Sequence, residues 1–215
     1  MPARRSREEQ REDTRRRLLV AARRVFLRRG FHGASLDLVA EDAGFTKGAV
    51  YSRFASKADL FLALLEERVT RRIAEMEAVA AEEHGPLGLG TALGRQWDTK
   101  LRQDEAWSLL LIEFRLHAAR DAAVNRRYAA LHARLRRAMA DMIEREAAES
   151  GEPLPVDAED LARAALAMGT GAVLERAAEG SGFPPRLTET MNRALVRGLR
   201  AEAATAASLG HARRR

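Results

Sequence analysis

Apolar residues recur at every third or fourth position along most of the chain, which is the spacing of helices that bury one face. From Thr14 this pattern predicts a first helix that ends at Gly30, a residue suited to a helical C-terminus. Its inward positions are Leu18, Leu19, Ala22, Val25 and Phe26. No segment shows the alternating β-branched residues of a half-buried strand. The predicted fold class is therefore all-α.

Two short helical patterns follow, separated by a tight turn at Ala43-Gly44-Phe45. Ser35 is suited to cap the first, over 36–43, and Thr46 to cap the second, over 47–54. The second pattern keeps bulky apolar residues only on its inward side, while its other positions are small or polar. Many DNA-binding proteins place a helix in the major groove with this arrangement: two helices joined by a short glycine-containing turn, with one face of the second helix free.

The rest of the chain reads as longer amphipathic helices. The first is predicted over Lys57–Glu83, with Ser56 as its N-cap, and His84-Gly85-Pro86 ends it. Further helices are predicted near Leu89–Gln103, Glu105–Arg120, Ala122–Ser150, Asp157–Glu179 and Thr188–Leu209.

Positive charge is concentrated at the start of the chain. The net charge is +6, and residues 1–57 contain 14 Lys and Arg against 7 Asp and Glu, whereas residues 58–215 contain 23 against 24. A basic segment joined to a near-neutral remainder is the electrostatic footprint of a protein that binds a polyanion. The same charge also fits a solvated arginine-rich face, or a segment held on an anionic membrane surface.

Several other classes of protein are disfavoured by what the sequence lacks. It contains no cysteine, which excludes disulfides and thiolate metal sites and makes a reducing cytoplasm the expected compartment. No apolar run reaches the roughly 18 residues of a membrane helix, and the N-terminus lacks the apolar part of a secretory signal. Phosphate-binding loops, GxSxG, HExxH and Glu-x-x-His motifs are also absent. We therefore expect no enzymatic activity, no cofactor and no metal.

A set of positions between Thr14 and Phe61 matches a known pattern: Leu18, Ala21, Ala22, Phe26, Gly30, Phe31, Ser35, Leu36, Val39, Ala40, Ala43, Gly44, Thr46, Lys47, Gly48, Tyr51, Phe54, Ser56, Lys57 and Leu60. Through them the segment resembles the DNA-binding domain of TetR-type bacterial regulators. Phe45 departs from the pattern, which has a smaller aliphatic residue there. The charged residues 1–13 are expected to form a mobile basic arm, followed by a helix-turn-helix domain over 14–60. The resemblance implies a helical effector-binding and dimerisation domain over 61–210.

The resemblance also implies a function. Such proteins are homodimeric, ligand-responsive transcriptional regulators, most often repressors, which bind a palindromic operator on double-stranded DNA and are released by a small molecule. The alternatives are an activator or a ligand-independent regulator of the same kind, and a helical enzyme. The expected location is the bacterial cytoplasm, with the DNA-bound protein on the nucleoid.

Dimerisation is expected through the last two long helices, Asp157–Glu179 and Thr188–Leu209. Both carry small residues, among them Gly171 and Gly198, which allow helices to approach closely. An alanine-rich packing seam within one chain is the alternative reading of the same residues.

DNA contacts are expected mainly from the second helix of the motif. Gly48 and Ala49 are small enough for its backbone to approach base edges, and the N–H groups at its N-terminus favour a phosphate. The full set of expected DNA-binding residues is Thr14, Arg16, Arg17, Ser35, Thr46, Lys47, Gly48, Ala49, Tyr51, Ser52, Arg53 and Lys57. A purely capping Thr46, a half-buried Tyr51 and a solvated Arg53 are the alternatives at those positions.

Candidate residues for an effector pocket are Trp97, Trp107, Glu113, Phe114, His117, Met139 and Met168. The aromatic and methionine side chains suit a pocket lining and an ordinary core equally well. Glu113 and His117 lie four residues apart, hence on one helix face. They suit a polar ligand group, and a structural Glu–His or Glu–Arg pair is the alternative. Two such side chains make a poor metal site.

Overall fold

The computed structural model describes residues 6–82, 94–100, 103–151, 154 and 156–212, and these are mostly helical. The helices are α1 (Arg7–Gly33), α2 (Leu36–Ala43), α3 (Lys47–Tyr51), α4 (Lys57–Glu82), α5 (94–100), α6 (Glu105–Ala118), α7 (Ala122–Ser150), α8 (Ala158–Glu179) and α9 (Leu187–Ala212), with a 3₁₀ turn at Gly180–Gly182. These ranges contain no strand, which confirms the all-α prediction. Across the same ranges no helix combines the length and apolar character needed to cross a membrane.

Helix α1 begins at Arg7, earlier than the predicted start at Thr14. Ser6 forms a capping box, in which its side chain accepts from the Glu9 N–H at 3.1 Å and the Glu9 carboxylate accepts from the Ser6 N–H at 2.7 Å. The prediction that residues 7–13 lie outside the first helix was therefore wrong. The Ser-x-x-Glu signature that starts the helix is present in the sequence.

Helix α1 is interrupted where its end was predicted. Gly30 has φ 68° and ψ 174°, a backbone conformation essentially restricted to glycine. One further helical turn follows, and α1 ends at Gly33. Gly30 is thus a break within α1 rather than its end.

The chain divides into two compact units. The first comprises Met1–Arg68 and Leu110–Leu131, and the second comprises Val69–Leu109 and His132–Arg215. The predicted boundary after residue 60 falls inside α4, and residues 110–131 group with the helix-turn-helix segment. Helical periodicity carries no information on such long-range grouping, because it reports only which face of a helix is buried.

The first unit is built around four fully buried phenylalanines, Phe26, Phe31, Phe61 and Phe114. The Phe61 and Phe114 rings stack at 4.2 Å between centroids, and Phe26 meets Phe61 edge-on at 5.2 Å. These rings come from α1, α4 and α6, so they join the start of α4 and the middle of α6 to the helix that supports the turn motif.

The second unit has its own apolar cluster, formed by Met76, Met139, Ala140, Met142, Ala158, Ala162 and Leu166. The N-terminus of α9 is capped from α5, because the buried Asp98 carboxylate accepts from the N–H groups of Thr188 at 3.3 Å and Glu189 at 3.1 Å. Trp97 packs so closely on Gly169 that a Cβ atom there would lie 2.5 Å from the indole ring. Residues 94–100 therefore hold α8 and α9 together.

Candidate nucleic-acid interface

The connection between α2 and α3 is a tight turn closed by backbone hydrogen bonds. Gly44 adopts φ 68° and ψ 34°, the left-handed conformation that favours glycine, and its N–H points to the carbonyl groups of Ala40 and Glu41. The Phe45 N–H also donates to the Ala40 carbonyl, at 2.9 Å. Helix α2 therefore ends abruptly and α3 starts at Lys47, which is the geometry of a helix-turn-helix.

The two sides of α3 differ in exposure. Val50 is fully buried, and Phe54, just beyond the helix, is buried as well. The residues exposed to solvent are Thr46, Lys47, Gly48, Tyr51, Ser52 and Arg53, with Ala49 half-buried. A Cβ atom placed on Gly48 would have no other atom of the described residues within 4 Å, apart from its own helix backbone and chain neighbours. The outer side of α3 therefore offers a partner direct access to the backbone.

Several of the exposed polar side chains bond to their own helix. Thr46 caps α3, since its hydroxyl accepts from the Ala49 N–H at 3.3 Å. The Ala49 carbonyl accepts from the Ser52 hydroxyl and from the Arg53 guanidinium, both at 3.1 Å. Ser35 plays the equivalent capping role for α2, accepting from the Leu38 N–H at 3.2 Å. The predicted caps are thus confirmed, and α3 ends at Tyr51 instead of Phe54.

Lys47 forms an ion pair with Asp37, a residue that the sequence analysis did not single out. The Lys47 ammonium lies 2.5 Å from Asp37 Oδ2, and both side chains remain partly in solvent. The hydrogen bond that Lys47 donates to the Asp37 carboxylate raises the pKa of Lys47 above its ordinary value. Lys47 is therefore charged and already has an anionic partner in this structure.

A recess of about 490 Å³ opens beside this ion pair. It is lined by Ser35, Asp37, Leu38, Ala40, Glu41, Phe45, Thr46 and Lys47. The N-terminal caps of both helices of the motif therefore face one concave surface, which carries two carboxylates and one ammonium group.

Two arginines of α1 hold α2 in place. Arg24 and Arg28 approach the Asp42 carboxylate at 2.6 and 2.5 Å. The hydrogen bonds from Arg28 and then Arg24 lower the pKa of Asp42. This pairing fixes the orientation of α2, and hence of the turn that leads into α3.

The three residues of α1 that are expected to contact DNA lie in the N-terminal half of the helix. Thr14 donates to the Gln10 carbonyl at 2.8 Å, and Arg16 pairs with Asp13 at 2.5 Å. The Arg17 guanidinium lies 4.7 Å from the centre of the Phe45 ring, a cation–π contact. Phe45 thus links the turn to α1, which gives a packing role to the position where the sequence departs from the family pattern.

Lys57, which is predicted to contact a second DNA phosphate, has hydrogen-bond partners within the first unit. Its ammonium donates to the carbonyl oxygens of His32 at 2.9 Å and Ala34 at 3.3 Å, and it lies 4.9 Å from the centre of the Phe31 ring. Two of its three donors are thus used within the unit. Lys57 therefore supplies hydrogen-bond donors to carbonyl groups at the end of α1 that have no partner within the helix.

The residues predicted to line an effector pocket are divided between the two units. Glu113, Phe114 and His117 belong to the first unit. Glu113 accepts from the backbone N–H groups of Phe31 and His32, both at 3.0 Å, and Phe114 is fully buried. The His117 ring packs on Phe31 at 4.6 Å. These three residues contact the end of α1, and within the described part of the chain Glu113 pairs with neither a histidine nor an arginine.

The other four pocket candidates lie in the second unit. Met139 belongs to the buried methionine cluster, and Trp107 is buried as well. Met168 is half-buried, and Trp97 packs on Gly169. Among the described residues no group of three or more acidic or histidine side chains is placed to hold a metal ion.

Comparison with protein families identifies two matching models. One, described as bacterial regulatory proteins of the tetR family, matches residues 18–64. The other, described as the C-terminal domain of BetI-type transcriptional repressors, matches residues 91–210. The second match alone spans more than half of the chain.

A curated relative matches over about a quarter of the chain. The transcriptional activator FasR of Mycolicibacterium smegmatis is 44% identical over 59 residues, which is 27% of this chain and 27% of that protein. The chain therefore matches about a quarter of the length of this relative.

Solved structures match over most of the chain. A Pseudomonas aeruginosa PAO1 protein described as a transcriptional regulator superposes with a TM-score of 0.74 at 22% identity, over 89% of this chain and 92% of the other. The regulator FadR of Bacillus subtilis, solved with stearoyl-CoA, superposes with a TM-score of 0.69 at 14% identity, over 84% and 96%. At these identities the likeness concerns the fold.

Proposed function

This chain belongs to the TetR family of bacterial regulatory proteins, and we propose that it is a ligand-responsive transcriptional regulator that binds a palindromic operator as a homodimer. The observation that carries the proposal is the outer face of α3, where small and polar residues are exposed while Val50 and Phe54 are buried. A helix with one free face of this kind can enter the major groove.

Within that face the residues divide by chemistry. Gly48 and Ala49 allow the α3 backbone to approach base edges, and the Ala49 methyl suits a thymine methyl. Lys47 and Tyr51 supply a cation and a hydroxyl donor for phosphate oxygens. Tyr51 is 54% exposed, which supports contact with a partner over a role in the core. Arg16 and Arg17 extend the basic surface along α1, and Thr14 adds a hydroxyl group beside them.

The homodimer is proposed to form through α8 and α9. On α8 the residues Ala167, Gly171, Leu174 and Ala178 share one face and are exposed. On α9 the exposed Met191, Ala194 and Gly198 do the same. Among the described residues, no atom lies within 4 Å of a Cβ placed on Gly171 or Gly198, beyond each residue's own helix backbone and chain neighbours. Two such faces suit a four-helix interface with the same helices of a second subunit.

Repression with release by a small molecule is the proposed mode of action. The model that matches residues 91–210 describes repressors, whereas FasR is named an activator. Residues 61–210 are proposed to hold the effector site and the dimer contacts. Effector binding would favour a conformation with lower operator affinity. A protein acting on chromosomal DNA works in the bacterial cytoplasm, and the proposed role is regulatory rather than enzymatic.

The proposal is tested by selecting genomic DNA fragments with the purified full-length protein. We expect enrichment of a few fragments that share an inverted repeat, and binding of the isolated repeat at lower protein concentration than a scrambled duplex. Enrichment without a shared repeat, or equal affinity for the scrambled duplex, would contradict the proposed operator binding. Metabolite pools can then be screened for compounds that release the repeat.

A further inference from the structure

The ion pair between Asp37 and Lys47 places an acidic side chain on the surface proposed to contact DNA. Asp37 lies in the first turn of α2, and Lys47 is the first residue of α3. Their charged atoms are 2.5 Å apart, with 42% of the Asp37 side chain and 69% of the Lys47 side chain exposed. The pair is therefore on the surface, where a DNA phosphate can reach the ammonium group.

The carboxylate of Asp37 has a single hydrogen-bonded oxygen within the described ranges. Oδ2 accepts from Lys47, whereas Oδ1 is shielded from solvent and has no hydrogen-bond partner among the described residues. Lys47 is thus the cation that compensates this carboxylate. When a DNA phosphate pairs with the Lys47 ammonium, the Asp37 carboxylate loses its cation and lies beside the negatively charged phosphate.

We propose that Asp37 competes with the DNA phosphate for the Lys47 ammonium and thereby lowers the affinity of the protein for DNA of any sequence. The inference rests on the proposed function, since it assumes that the outer face of α3 meets DNA. In this proposal the Asp37 carboxylate limits how much the Lys47 contact contributes to DNA affinity.

The physical reason is an exchange of partners. Contact between Lys47 and a phosphate replaces an existing ion pair, so its net gain is the difference between two charge-assisted interactions. Exposed ion pairs are weak enough for this exchange to occur. Phosphate contacts carry no sequence information, and the cost of the exchange is therefore shared by operator and non-operator DNA.

Glu41 provides a matched control. It is exposed on the same short helix and lines the same recess as Asp37. Glu41→Gln removes the same charge as Asp37→Asn, but it leaves the pair with Lys47 intact. Any difference between the two variants therefore reports the pairing and not the net charge.

The experiment measures binding of full-length protein to a fluorescein-labelled duplex of scrambled sequence by anisotropy, at salt concentrations from about 50 to 200 mM. The variants are D37N, E41Q, K47Q and the double variant D37N/K47Q. We expect D37N to bind about two- to fivefold more tightly than the wild type, the ratio that an exposed ion pair supports. The affinity of E41Q should be closer to that of the wild type than the affinity of D37N is. D37N/K47Q should bind no more tightly than K47Q.

Three results would overturn the inference while leaving the proposed function intact: unchanged binding by D37N, an equal gain for E41Q, or a gain that persists without Lys47. Absence of wild-type binding to both the scrambled duplex and the selected repeat at the lowest salt would instead overturn the proposed function, and the inference with it. Thermal unfolding of each variant checks that the fold is kept. If D37N melts early, D37S provides the same removal of charge with a different side chain.

Discussion

The carboxylate of Glu113 binds the backbone N–H of Phe31 across 82 positions of sequence, with an Oε2···N distance of 3.0 Å. Its other oxygen accepts from the next N–H, that of His32. Gly30 breaks α1 immediately before this turn, so these two N–H groups start a new helical segment without intrahelical acceptors. Glu113 of α6 therefore caps the last turn of α1.

Removing this cap is expected to destabilise the protein. Glu113→Gln can supply one acceptor oxygen where the carboxylate supplies two, and it loses the charge-assisted character of both bonds. We expect a loss of about 1–3 kcal/mol in the free energy of unfolding, measured by urea denaturation. Glu77→Gln, at an exposed position of α4, serves as the control and should change stability little. Equal stability of both variants would contradict the capping role.

Gly30→Ala is expected to be destabilising for two reasons. The backbone at this position has φ 68°, and the added Cβ would lie 2.9 Å from Glu113 Oε2. Conformations of this kind cost non-glycine residues about 1–3 kcal/mol. Gly33→Ala, three residues on, is the matched control, since its Cβ meets only the Arg29 Cβ at 3.6 Å. The comparison is made by thermal unfolding, and a Gly33 variant less stable than the Gly30 variant would refute this account.

Lys47→Ala and Tyr51→Phe are expected to weaken operator binding. Each removes one polar contact, which corresponds to about 1–3 kcal/mol if the contacts are charge-assisted. For Lys47→Ala the slope of log affinity against log salt should also fall by about one. Lys100→Ala removes the same charge from the second unit, where Lys100 pairs with Glu75 at 3.2 Å, and should leave binding unchanged. Titrations followed by anisotropy would show full operator affinity in both α3 variants if the contact assignment is wrong.

Leu174→Arg is expected to shift the protein from dimer to monomer. Leu174 is 49% exposed on the face of α8 that we assign to the interface, and burying an unpaired arginine there is costly. Leu116→Arg is the control, because Leu116 of α6 is 62% exposed and lies outside α8 and α9. Light scattering at micromolar concentration reports the mass of each. A monomeric wild type, or dissociation by the Leu116 variant alone, would argue against this interface.

The Asp42 ion pairs predict a pH-dependent contribution to stability. Hydrogen bonds from Arg28 and Arg24 lower the pKa of Asp42 in the folded protein below its ordinary value of 3.8. Its contribution is therefore present at neutral pH and is lost as the pH falls below that value through the folded-state pKa. Asp42→Asn should be less stable than the wild type at neutral pH, and the difference should shrink in acid. Asp141→Asn, at an exposed position of α7, should show no such trend in the same pH series.

Local features of the helix-turn-helix were predictable because they depend on near neighbours in sequence. Ser35 and Thr46 cap α2 and α3 through hydrogen bonds to residues three positions on. Gly44 ends α2 through its own backbone conformation. Val50 and Phe54 are buried as their helical spacing indicated. The Ser6 capping box is equally local. The predicted start of α1 missed it because residues 7–13 show no apolar periodicity.

By itself the sequence determined the all-α class, the positions of most helices, the exposed face of α3 and membership of the family, because periodicity, caps and turn residues act over a few positions. Only the tertiary structure decided which helices pack against one another and which side chains pair across them. Glu113 and Phe114 are predicted pocket residues by composition, and the structure places them beside Phe31 and Phe61. Lys57 is predicted to contact a phosphate, and the structure adds hydrogen bonds from its ammonium to the carbonyl groups of His32 and Ala34. A charged side chain takes the partner that long-range packing brings near it, and helical spacing does not encode that choice.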